Sequence, residues 1–232
     1  MDPVARQARP GLERRLLPGL VVRLSRVTWP ARVGAGVRRR LHRRGRVELF
    51  FAFEDPCSAI ALTDLAERLS GRDVLLLLRP VVKRGIPGDP AVDQKRRYAI
   101  DDARRIARRL GRNLSREEPL AAEQTAFLAE WVAGAPQGPA LQRFCVAAVA
   151  RLWLTGEGSL ERADYEALWR DCLGTEPGGP DGEPAVRRNE RLMKRRRPYD
   201  VPAAWVHGQW FFAHDRLPQI AERLDELGWR AR

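Results

Sequence analysis

A chain of 232 residues can bury a sizeable core, and its formal charge of +12 at first suggests a nucleic-acid partner. The placement of that charge removes the suggestion for the domain proper: the first 46 residues carry 13 arginines against Asp2 and Glu13, a net of +11, while the remaining 29 bases and 28 acids nearly cancel. No apolar run reaches the length of a transmembrane helix, and Cys57, Cys145 and Cys172 are odd in number with neither CxxC nor metal-ligand spacing, so a reducing, cytoplasmic setting is expected.

Residues 1–46 read as a basic arm. Its longest apolar stretch, LLPGLVV at 16–22, is short, interrupted by Pro18 and without a small-residue cleavage site, so no secretory signal is expected. Arginine richness permits an organelle-targeting peptide, although Asp2 and Glu13 count against one. A short amphipathic helix is predicted over Leu12–Val27. Three roles stay open for the arm: a simple extension, a patch for an anionic membrane, or a patch for nucleic acid. RRRLHRRGR at 38–46 suits phosphates but lacks interleaved aromatics for base stacking.

From Val47 the pattern becomes regular. Val47–Phe53 reads as a strand, and Ile60, Leu62, Leu65, Ala66 and Leu69 give helical spacing over Pro56–Leu69 with Gly71 as a stop. DVLLLLRP at 73–80 is a continuous apolar run, the pattern of a strand buried in a parallel pair. The first stretch of the domain is therefore β-α-β, with the helix as crossover.

A Gly/Pro-rich loop at 81–93 leads into a helical block. Ala99, Ala103, Ile106, Ala107 and Leu110 share one face of a helix over Gln94–Leu110. Ser115 and Glu118 have capping-box spacing for a second helix running to Val132. Leu141, Phe144, Cys145, Ala148 and Leu152 line a third helix. Leu160, Ala163, Leu168, Trp169 and Cys172 line a fourth, opened by Ser159, so Cys145 and Cys172 are expected in the core. GTEPGGPDGEP at 174–184 is a breaker-rich linker, and the basic run at 187–197 reads as a solvated helix face. Two short strands follow in 202–214 around a His207-Gly208 turn. A last helix then runs over Asp215–Leu227, with Asp215 as N-cap and Gly228 as stop. The fold class is α/β: a βαβ…ββα domain at 47–79 and 185–232, divided by an all-helical insertion at 80–184.

The segment VELFFAFEDPCS (47–58) poses the chemical question, because an apolar strand ends in two carboxylates, a proline and a thiol. Asp55 followed by Pro56 is a good helix start in its own right. It is also where a reactive group would stand. Three stretches resemble the thioredoxin-like superfamily that groups DsbA-type disulfide oxidoreductases, 2-hydroxychromene-2-carboxylate isomerases and kappa-class glutathione transferases. VELFFAFEDPCS is similar to the strand and turn that carry the family's Ser-Pro-Tyr-Ser or Cys-Pro-x-Cys sequence. LRPVVKRGIP and DQKRRYAIDDARRIARRLG look like its second strand, ligand loop and first insertion helix. DVPAAWVHGQWFFAHDRL resembles its cis-proline hairpin and is the most specific of the three. The likeness covers about Val47–Leu227 and leaves the arm without a counterpart.

The resemblance implies a thioredoxin-like fold, a cis bond at Val201-Pro202, and glutathione as cofactor. Val201 would pair with the cysteinyl backbone, Lys95 would face a carboxylate, and Asp215 beside His214 would hold the γ-glutamyl amine. It further implies a small-molecule substrate such as an aromatic carboxylate, isomerised by reversible thiol addition to a conjugated double bond; a homodimer stays open. Departures accompany the likeness. Asp55 stands where the family has cysteine or serine, which removes the thiolate needed for disulfide exchange. An ionised Asp accepts hydrogen bonds but cannot donate one to a glutathione thiolate as serine does. Asp55 as a base, Cys57 as a thiol made acidic by the helix terminus, and Ser58 are the remaining catalytic candidates. Asp200, Ala203 and Ala213 also differ from the family's glycine, threonine and glycine, and Arg195, Arg196 and Arg197 would draw an anionic substrate. Two rivals stay beside the glutathione-dependent isomerase: a non-catalytic binding module acting through the arm, and a single-thiol redox protein using Cys57. His42, His207 and His214 have no metal-ligand spacing, and no glycine-rich phosphate loop precedes a helix.

Overall fold

The computed structural model describes residues 29–231 except 86, 87, 156, 157, 180, 197 and 199. The helix expected over Leu12–Val27 lies outside the described residues. Within them the order is α1 (Trp29–Arg40), β1 (Gly45–Phe51), α2 (Pro56–Arg68), β2 (Val74–Pro80), α3 (Val92–Arg109), α4 (Ala122–Gly134), α5 (Pro139–Trp153), α6 (Arg162–Leu173), α7 (Gly182–Arg196), β3 (Ala203–Val206), β4 (Gln209–Phe212) and α8 (Leu217–Glu226).

β1 is buried on both sides from Leu49 onward, while β2 alternates buried with half-buried positions. β1 and β2 run parallel, with Gly45 opposite Val74 and Phe51 opposite Pro80, and α2 crosses between them. β3 lies antiparallel to β1 with Leu49 opposite Ala204, giving the strand order β2-β1-β3-β4. His207 (φ 43°) and Gly208 (φ 95°) both take positive φ, the two-residue turn whose twist matches a hairpin, and they join β3 to β4. Val47, Leu49 and Phe51 face the main core, with Ile60, Leu65 and Leu224. Phe50 points the other way, into a smaller cluster with Ala52, Val81 and Val201, over which Leu192, Met193 and Trp210 pack. β2 forms one edge of the sheet. The Gln137 amide lies along it like a short strand, its Oε1 accepting from Leu78 N (2.7 Å) and its Nε2 donating to Leu78 O (3.2 Å).

The helical insertion is held by aromatic packing: Phe144 meets Trp169 edge-on at 4.8 Å between ring centres, and Phe127 meets Trp131 at 5.0 Å. α7 returns the chain to the sheet along α4. The approach is so close that a Cβ on Gly182 would stand 2.8 Å from Glu130 O, which explains a glycine there. Buried Asn189 of α7 donates to Pro80 O (3.0 Å), and Glu190 accepts from Val82 N and Lys83 N. The run at 187–197 is therefore only in part a solvated face.

Four expectations change. The arm does not end at residue 46 as a separate unit: α1 packs Ala35 into the core, and β1 already begins at Gly45. Ser115 does not cap a helix; its N and Oγ both donate to Trp153 O, and α4 starts at Ala122, where the Gln124 side chain accepts from Ala121 N (2.7 Å). A helix from Ser115 would place Pro119 where the first intrahelical N–H is needed, and proline has none. α6 begins at Arg162, after a turn in which Ser159 Oγ accepts from Glu161 N (3.1 Å). Cys145 is fully buried, whereas Cys172 is only half-buried at the edge of the cluster.

Candidate functional site

β1 delivers the chain to a tight turn, and the insertion holds that turn in place: Trp153 Nε1 of α5 donates to Phe53 O at 2.8 Å. Asp55 follows with extended backbone (φ −106°, ψ 117°) as the N-cap of α2, and Pro56 opens the helix. Asp55 Oδ2 accepts from Ser58 N (2.8 Å) and from Ser58 Oγ (2.6 Å). Ser58 Oγ in turn accepts from Ala52 N (3.2 Å). The hydroxyl proton of Ser58 and one oxygen of Asp55 are thus committed to the turn. Ser58 is wholly buried, so this geometry gives it a capping role and not that of a donor to a ligand thiol.

The other face of the Asp55 carboxylate meets Arg84, a residue the sequence reading did not single out. From the loop after β2, Arg84 Nε donates to Glu54 Oε1 at 2.9 Å and its other nitrogens reach Asp55 Oδ1 (3.7 Å) and Asp200 Oδ1 (3.8 Å). Burial works to lower the Arg84 pKa, but Asp55, Glu54 and Asp200 outweigh it and keep the guanidinium charged. Glu54 moves up from the ordinary carboxylate value because its burial outweighs the attraction of Arg84. One cation therefore stands among three carboxylates.

Cys57 sits one residue into α2, its Sγ 3.9 Å from Ala99 O. The expectation of an acidic thiol fails physically: burial pushes the thiol up, and Asp55, Asp102 and Asp215 push it further. The helix terminus cannot compensate, since its amide charge is already met by Asp55.

The Val201-Pro202 peptide is cis, and Val201 N donates to Asp200 Oδ1 at 2.8 Å. The amide that would pair with a ligand backbone is thus engaged by the side chain that replaces glycine. Lys95 is ion-paired with Asp89 across the loop and so is not reserved for a ligand carboxylate. Asp215 is not an N-cap: α8 begins at Leu217 with Arg216 in the cap position and no side-chain cap bond. A cap at 215 would put Pro218 at N3 and leave only the Leu217 N–H for the side chain to hold. Asp215 is instead exposed, 3.6 Å from His214 Nε2.

These groups surround a cleft of about 460 Å³ between the start of α2, the loop after β2, α3 and the cis-proline loop. Asp55, Cys57, Lys95, Val201 and His214 line it together; Ser58, Pro202 and Asp215 are not on its wall. Five carboxylates, those of Glu54, Asp55, Asp89, Asp102 and Asp200, share the wall with the bases Arg84, Lys95 and Arg96, and Val82, Val92 and Tyr98 add apolar surface. Arg195 and Arg196 do not face it. Arg196 pairs with Glu48 (3.0 Å) and lies over the Trp205 ring (5.4 Å), so it cannot draw a substrate there; Arg197 lies outside the described residues. Trp205 and Trp210 pack against each other at 4.9 Å and likewise stay off the cleft wall. No cluster of metal-ligating side chains occurs among the described residues.

Neither a family model nor a curated protein matches the chain. Solved structures do. A 2-hydroxychromene-2-carboxylate isomerase superposes with a TM-score of 0.58 at 16% identity, over 78% of this chain and 95% of that one. A probable DsbA oxidoreductase from Streptomyces coelicolor gives 0.57 at 15% identity, over 82% and 92%. At such identities the likeness is one of architecture. The four-stranded βαβ–ββα sheet with a helical insertion is a DsbA-like thioredoxin fold.

Proposed function

We propose that this chain binds a small zwitterionic ligand of the glutathione kind in the cleft beside Val201, and that it does not exchange disulfides. The observation that carries the reading is the cleft wall itself. Five carboxylates stand there against three bases, so a ligand ammonium meets unbalanced negative charge, and a ligand carboxylate meets Lys95 and Arg96 in exchange for their pairs with Asp89 and Asp93. Disulfide exchange needs an accessible thiolate, and the place of the nucleophile is taken by an Asp55 that is bonded to Ser58 and faces Arg84. Calorimetric titration with reduced glutathione tests the binding. Asp102→Asn, which removes an exposed wall carboxylate, is expected to weaken it several-fold, and no heat of binding at millimolar ligand would sink the reading. Insulin reduction by dithiothreitol should proceed no faster with the protein than without it.

A glutathione-dependent isomerase acting on a conjugated substrate is the second reading, favoured by Glu54. This carboxylate is buried, lines the cleft and has a raised pKa, the properties of a proton acceptor for a ligand thiol. Thiol addition across the double bond, rotation and elimination would return the isomer with glutathione unchanged. Glu54→Gln should then abolish turnover while glutathione still binds; equal turnover in the variant removes the base from Glu54. The three unpaired cysteines suit a reducing compartment, the cytoplasm. Among the described residues no helix is long and apolar enough to cross a membrane.

A further inference from the structure

α1 carries a surface that the cleft does not use. Its inner face packs Ala31 and Ala35 against the core. Val33, Val37 and Leu41 stand outward at 56%, 51% and 60% exposure, and Leu41 N bonds Val37 O so that the helical geometry continues to it. Residues four apart share a helix face, so the three form one stripe. Single exposed aliphatic side chains are ordinary, but three of the six large apolar side chains exposed among the described residues lie on this one short element.

The charge around the stripe is of one sign. Residues 29–46 hold seven arginines and no acid, and the residues before them add six more against Asp2 and Glu13. The local crowding is visible at Arg38, whose pKa is lowered by burial and then by Arg46 and Arg43. Among the described residues, only Arg44, paired with Asp73 (3.1 Å), is given a carboxylate by the body of the domain. Nucleic acid would satisfy the arginines but would leave the aliphatic stripe in water. A sheet of anionic headgroups over hydrocarbon satisfies both.

We infer that α1 docks the protein on an anionic lipid surface, with Val33, Val37 and Leu41 entering the headgroup boundary and Arg32, Arg40 and Arg43 meeting lipid phosphates and carboxylates. The placement in the fold is compatible with a working cleft. α1 sits at the Gly45 end of β1, where Arg38 Nη2 donates to Arg44 O, and the cleft opens beyond Phe51 at the other end. Six residue steps of strand separate those ends by roughly 20 Å, so a docked molecule keeps its cleft in solvent.

Cosedimentation of the full chain with phosphatidylcholine vesicles, with and without phosphatidylserine, tests the inference. Binding is expected only to the anionic vesicles and should weaken with salt. A Val33→Ser, Val37→Ser, Leu41→Ser variant changes only exposed side chains and should bind at least about tenfold more weakly, with an unchanged thermal unfolding curve. An Arg32→Gln, Arg40→Gln, Arg43→Gln variant should lose a similar factor. Undiminished vesicle binding by the serine variant overturns the inference and assigns any lipid affinity to other basic segments. Tighter binding to duplex DNA than to the anionic vesicles, unaffected by the serine substitutions, also overturns it. So does a dimer in sedimentation that the serine variant converts to monomer.

Discussion

The β1–β2 pair has a partly or wholly buried arginine at each end, and the two are balanced differently. Arg72, just before β2, pairs with Asp225 and donates to Trp229 O (2.7 Å), one cation against one carboxylate that is 43% exposed. Arg84, just after β2, stands among Glu54, Asp55 and Asp200, and the first two carboxylates are only 5% and 4% exposed. The Arg72 end is a closed tie that fastens the C-terminal turn to the sheet. The Arg84 end has more carboxylate than one guanidinium neutralises, and that surplus faces a cleft. Charge left unbalanced at a concave surface is what the proposed ligand ammonium would meet; charge balanced within the fold serves as a fastening.

Substitutions at four residues probe this contrast, from the largest expected effect to the smallest. Arg84→Met strands two buried carboxylates and should cost about 3 kcal/mol in urea unfolding, since breaking a buried pair leaves an uncompensated charge. Asp55→Ala removes the cap of α2 and should cost about 1–2 kcal/mol, whereas Asp55→Ser, which can still cap, should cost a few tenths. Arg72→Met should cost about 1 kcal/mol, because its carboxylate partner is half in water. A loss equal to that of Arg84→Met would erase the distinction between the two ends. The smallest effect belongs to His207, stacked on Trp229 at 4.7 Å. Burial, followed by Arg38, Arg223 and Arg46, lowers its pKa. The unfolded chain therefore takes up a proton below about pH 6.5 while the native one does not, so stability falls as pH drops through that region. His207→Asn, which tolerates the positive φ, should reduce the change in urea midpoint between about pH 7.5 and about pH 5.5.

What the sequence made legible was local or periodic. The Asp55-Pro56 cap, the His207-Gly208 turn and the apolar strands each depend on neighbours a few residues away, so β1, α2 and the hairpin could be read directly. Arg84 could not: its meaning lies in carboxylates 30 and 116 positions distant, brought together only when the loop folds over the cis-proline turn. The two capping errors share one cause. Ser115 and Asp215 have the right side chains, but Pro119 removes the first intrahelical N–H and Pro218 removes one of the two that a cap at 215 could hold, a signal present in the sequence. Asp55 illustrates the remaining gap, since its type fits both a base and a cap, and the capping bonds to Ser58 and the nearness of Arg84 appear only in the folded chain.

The Gln137 amide along β2 has a consequence beyond the contacts it makes. An exposed edge strand is a template on which a second chain can assemble, and a parallel apolar strand such as VLLLLRP is a strong one. By filling the donor and acceptor of Leu78 in mid-strand, Gln137 interrupts the ladder that an incoming strand would have to form. The helical insertion thereby supplies a guard against aggregation along with its packing, and a polar residue in a short loop keeps an adhesive apolar strand from recruiting copies of itself.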